Sequence, residues 1–137
     1  MEQFAINNLT VRISENINYS WILLDEQTNR EQFAASLIDA DFLTVLNQNN
    51  VKNVLLDGSK LWNFSIPDMS DFLDKKFTFV MSAIGVEKIS VILNEEVISM
   101  LTFIFQGIEN NHANNSPQIR FFGTSQFYDS FDSVAWF

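Results

Sequence analysis

The chain has 137 residues, 47% of them hydrophobic, 18% charged, with fourteen Phe and a formal net charge of −9, which points to one globular domain spanning residues 1–137 with a core built largely from phenylalanine. Seventeen Asp plus Glu against eight Lys plus Arg oppose nucleic acid and anionic membrane surfaces, because phosphate binding depends on clustered cations that release counterions. Without cysteine and with a single His, disulfides, thiolate metal sites and multi-histidine zinc sites are excluded, and no cofactor is expected.

The opening MEQFAINNL lacks a basic start followed by an apolar run, so a cytoplasmic location is expected. No apolar run reaches the roughly 18 residues that a spanning helix needs, so no membrane insertion is expected. Leu9, Val11 and Ile13 alternate with Thr10, Arg12 and Ser14, the pattern of a half-exposed strand. Asn16 and Asn18 suit a turn, and Tyr19 to Leu24 reads as a second, more buried strand that completes an N-terminal hairpin. Thr28 or Asn29 can then cap a helix with Phe33, Leu37, Val45 and Leu46 facing inward and a change of direction near Asp39 and Asp41.

Val51 to Asp57 forms a third strand, apolar on both faces, which predicts cover on both sides. After the loop with Trp62 and Phe64, Ser65 is a good N-cap, Pro67 fits the first turn, and Asp68 complements the helix dipole. Met69, Leu73, Phe77, Val80 and Ile84 recur at helical spacing, and Gly85 ends that helix. Lys88 to Leu93 is a fourth strand, Asn94 caps a helix from Glu95 to about Ile108, Asn110 to Pro117 is a polar loop, Ile119 to Phe122 a fifth strand, and Thr124 to Trp136 a terminal helix. The resulting order, β-β-α-β-α-β-α-β-α, predicts an α/β fold with a mostly parallel five-stranded sheet, an N-terminal hairpin and flanking helices.

The stretches VKNVLLDGSKL, SIPDMSDFLDKKFTFVMSAIGVEKISVIL and the ending IRFFGTSQFYDSFDSVAWF resemble the STAS superfamily, in particular its SpoIIAA-like branch of free-standing bacterial proteins. The resemblance covers roughly residues 9 to 137. It implies a non-enzymatic regulatory module that contacts a protein partner or a small apolar, lipid-like ligand. Members that antagonise anti-sigma factors carry a phosphorylated Ser directly after an Asp at the start of the helix following strand three. Here Ser65 and Ile66 occupy those positions, so the acceptor position itself is apolar, with Ser65 and Ser59 close by.

Asp57 at the carboxyl end of the central strand stands where open α/β sheets place ligands and chemistry. With Asp25 and Glu26 it is similar to the acidic pocket of phosphorelay receiver domains, although no Lys follows Lys88 and Pro67 lies ten positions beyond Asp57. The candidate phospho-acceptors are therefore Asp57, Ser59 and Ser65, against which stands a local role for Asp57 in the Gly58 turn and for Ser65 as a helix cap. His112 lies in the polar loop, where an exposed, non-catalytic histidine is expected.

Apolar residues in excess of a single core stripe are the other signal. Phe72 and Phe79 on one helix, Phe103 and Phe105 on the next, and Trp62 and Phe64 in the loop form a candidate contact or ligand patch. They suit either a Phe-rich core or a surface for a protein partner, an apolar ligand or a homodimer.

Overall fold

A computed structural model describes residues 2–6, 9–14, 19–24, 30–60, 70–115 and 117–124. The cap at Ser65, the loop aromatics Trp62 and Phe64, the acids Asp25 and Glu26, and the terminal helix expected beyond Thr124 lie outside the described residues. Six strands form one sheet in sequential order: β1 (Glu2–Ile6), β2 (Leu9–Ser14), β3 (Tyr19–Leu24), β4 (Asn53–Asp57), β5 (Lys88–Leu93) and β6 (Gln118–Gly123). The five expected strands are β2 to β6. β1 adds a further one, whose short Gln3–Ala5 and Phe4–Ile6 alternation is too brief to register as a strand by periodicity. Its register sets Ile6 opposite Leu9.

β1, β2 and β3 pair antiparallel, whereas β3–β4, β4–β5 and β5–β6 pair parallel. Helices make the parallel crossovers: α1 (Arg30–Leu37) and α2 (Ala40–Gln48) between β3 and β4, α3 between β4 and β5, and α4 (Glu95–Asn111) between β5 and β6. α3 combines a π-helical segment, Phe72–Phe77, with the α-helix Thr78–Ala83 that continues it. With strands in sequential order and crossovers of one hand, the described helices land on the same face of the sheet.

The buried side chains agree. Val11, Ile13, Ile22, Val54, Leu56, Ile89, Val91 and Ile119 form one core with Phe33 of α1, Phe42 and Leu46 of α2, Phe72, Phe77 and Met81 of α3, and Phe105 and Ile108 of α4. On the other face Leu55 and Ile92 are also buried, packed with Trp21. Both faces of β4 are thus covered, as its sequence requires, but the described helices supply one cover and not both. The described helices form one layer over the sheet, and the terminal helix expected from Thr124 lies outside the described residues.

Local chemistry explains where the helices turn. The change of direction near Asp39 is a boundary between two helices, at which Asp39 Oδ1 accepts hydrogen bonds from the backbone N–H of Asp41 at 2.8 Å and of Phe42 at 3.2 Å, the geometry of an N-cap. Asn94 does the same for α4, its side chain accepting from Glu96 N–H at 2.9 Å. Gly85 follows α3 with φ of 88°, a left-handed conformation that favours glycine at a helix end.

Candidate functional site

Asp57 closes β4 and is half-buried. Its Oδ1 accepts from the Ser59 backbone N–H at 3.1 Å and from the Ser59 hydroxyl at 2.6 Å, and its Oδ2 accepts from Trp21 Nε1 at 3.4 Å. The first of these bonds is an Asx turn, in which the carboxylate accepts from the backbone N–H two residues ahead. Gly58 between them donates its N–H to Ile92 O at 2.8 Å. A Cβ there would lie 3.0 Å from Leu93 Cδ2 and 3.2 Å from Ile92 O, so the turn is pressed against β5 too closely for a side chain. Among the described residues no group of three or more His, Asp or Glu side chains converges as a metal site would require. Chemically, the described residues at this edge of the sheet include one engaged carboxylate, Asp57, and the Ser59 hydroxyl hydrogen-bonded to it.

The apolar signal divides sharply. Phe72 and Phe105 are each only 2% exposed and belong to the core rather than to a surface patch. Phe72 meets Phe33 edge to face at 5.2 Å, and Phe105 stacks on Phe121 at 4.5 Å. By contrast Phe79 is 74% and Phe103 89% exposed, joined by Ile38 at 79%, Met100 at 72% and Ile104 at 42%. All five lie on the helical layer.

Two irregularities decide which residues face out. In α3 the wider π turn brings residues five apart into line, so Phe72 and Phe77 both point inward and Met81 continues the stripe. The Thr78 hydroxyl donates to Asp74 O at 2.6 Å within that turn. In α4, Leu101 departs from helical geometry, with φ of −121° and ψ of 20°. Before this kink Val97, Ile98 and Leu101 pack against the core; after it Phe105 and Ile108 do so, and Ile104 is turned outward. Met100, Phe103 and Ile104 consequently form an outward ridge at i, i+3, i+4 spacing.

α3 runs between α1 and α4 with a groove on either side. The α1/α3 groove, about 450 Å³, is lined by Ala34, Ala35, Ile38, Phe72, Lys75, Lys76, Phe79 and Val80. The α3/α4 groove, about 430 Å³, is lined by Ser70, Asp71, Asp74, Lys75, Leu101, Ile104 and Ile108. The first contains no carboxylate; the second contains two. Lys75 borders both and pairs with Asp71 at 2.8 Å, which together with Asp74 raises its pKa.

His112 is not an exposed loop residue. α4 extends to Asn111, so His112 is the C-cap, with Nε2 2.8 Å from Asp74 Oδ1 and both side chains largely covered. The contact ties the end of α4 to α3 beside the groove. Glu109, one turn earlier, has its pKa raised by burial, against the opposing effects of the Phe121 N–H that it accepts at 3.3 Å and of Arg120.

Among the described residues no helix is long and apolar enough to cross a membrane. Compared with known proteins, the chain matches no family model, no curated protein and no solved structure.

Proposed function

We propose that the chain is a STAS-like, SpoIIAA-like binding and regulatory module without enzymatic activity, and that it contacts a protein partner through its helical layer. One observation carries this reading: Ile38, Phe79, Met100, Phe103 and Ile104 are exposed together on that layer. Scattered apolar residues are ordinary on protein surfaces, but a grouped set on one face marks a contact surface. Phe103 stands outward rather than lining a cavity, and the set spans both sides of α3. That extent suits a macromolecular surface better than a small apolar ligand, for which the α1/α3 groove is the candidate among the described residues.

The reading is tested by replacing Phe79 or Phe103 with a photoreactive phenylalanine analogue in living cells, with Ala5, exposed on β1, as control. Protein adducts at positions 79 and 103 above the Ala5 background are expected. Adducts no more frequent than at Ala5 would refute it.

A second reading is favoured by the Ser59 hydroxyl, which donates to Asp57 Oδ1 at 2.6 Å. In a phospho-accepting regulator this carboxylate would draw the hydroxyl proton, making Ser59 the acceptor, while Asp57 itself is occupied by three donors. Incubation with candidate kinases and small phosphodonors, followed by mass spectrometry, would place phosphate on Ser59 and lose it in Ser59→Ala. An unmodified wild-type chain under all these conditions removes this reading.

A further inference from the structure

We infer that the partner of the helical layer is a second copy of this chain, in a dimer whose twofold axis runs parallel to α3. The inference rests on the reading of that layer as a contact surface and goes further by naming what meets it. On one side of α3 lies a groove with small residues, Ala34 and Ala35, in its lining and with Ile38 and Phe79 at its mouth. On the other side stands the Met100, Phe103 and Ile104 ridge of α4. The surface therefore carries an apolar projection on one side of a central helix and an apolar recess on the other.

The linings of the two grooves divide in charge the same way, although α1 also carries the exposed Glu31 beyond its groove. Lys76 lines only the α1 side and Asp71 and Asp74 only the α4 side, with Lys75 bordering both. In a face-to-face dimer, a twofold axis parallel to α3 exchanges its left and right flanks. Each copy's α4 ridge then lies over the other's α1/α3 groove, and each basic flank over the other's acidic flank. An axis perpendicular to α3 would set ridge on ridge and like charge on like charge. Self-complementarity of this kind is what an isologous interface demands, and opposed flanks fix its orientation more than its strength.

Light scattering on the purified full chain should give twice the 15.8 kDa chain mass. Phe79→Asp and Phe103→Asp should each return the monomer mass, with circular dichroism and melting confirming that the exposed substitutions leave the fold intact. Lys76→Glu should weaken the dimer by about tenfold, because a substitution in a symmetric interface acts twice on pairs individually worth little. Adding Asp71→Lys to the same chain reverses both flanks and should restore most of the loss. A monomer at high concentration, a dimer that survives both Asp variants, or a double reversal weaker than Lys76→Glu alone would each overturn the arrangement. Adducts to a different protein from positions 79 and 103, in a chain that remains monomeric, would overturn the dimer while leaving the contact surface in place.

Discussion

Phe72 and Phe79 sit seven residues apart on one helix and are chemically identical, yet their replacement by Ala should have opposite consequences. Phe72 is 2% exposed, in edge contact with Phe33, and Phe79 is 74% exposed. Truncating a fully packed Phe costs about 3–5 kcal/mol, from lost transfer energy and the cavity left behind. Folding stability is typically about 5–15 kcal/mol, so Phe72→Ala removes a large part of it. With a urea m-value of about 2 kcal/mol/M, the unfolding midpoint falls by about 2 M. Phe79→Ala gives up little buried area, and Ala is the better helix former, so its change should stay within about 0.5 kcal/mol. Both variants are compared by urea denaturation monitored through tryptophan fluorescence, in a Phe103→Asp background so that association does not contribute to apparent stability. A Phe72→Ala cost below about 1 kcal/mol, or a Phe79→Ala cost above about 2 kcal/mol, would refute the π-helical phase assigned to α3.

Further outcomes follow from single features. Gly85→Ala should destabilise by about 1–2 kcal/mol in thermal unfolding, because φ of 88° is a conformation that alanine resists. Ser20→Ala should stabilise the fold by about 1 kcal/mol, since the Ser20 hydroxyl is fully buried with no hydrogen-bond partner. Burial raises the pKa of Glu109, so between the ordinary glutamate value of about 4.3 and the raised one the folded state binds more protons than the unfolded. Stability should therefore fall as pH rises through that window. Glu109→Gln keeps an acceptor for the Phe121 N–H and should lose that part of the pH dependence; an unchanged slope by urea titration across pH would contradict it.

The fold was legible where one local rule decided the outcome. Val11 and Ile13 against Arg12, the cap at Asn94 and the stop at Gly85 each state their structure within a few residues, and β2 to β6 follow from them. The gathering of the described helices on one face is not local: it arises from strand order, which no periodicity records. The candidate site was legible as an excess of apolar residues on α3 and α4, but its membership was not. A π turn and the kink at Leu101 each shift the helical phase, so Phe72 and Phe105 went inward and Ile104 outward against a 3.6-residue expectation. His112 was misplaced for a related reason: the Asn-rich stretch looks like a loop, yet α4 continues through Asn111 and brings His112 to Asp74. Ile38 gave no signal, standing just after α1 in a turn whose exposure depends on where α2 begins.

Amide spectra of the isotope-labelled chain, recorded over a range of protein concentrations, test the central claim most directly. Concentration-dependent shifts should gather at residues 34–38 of α1, 75–80 of α3 and 100–107 of α4, leaving β1 and the Asp57–Ser59 turn unmoved. Shifts centred on β1 or on that turn, or spectra that do not change with concentration, would contradict a helical layer that meets a second copy of itself.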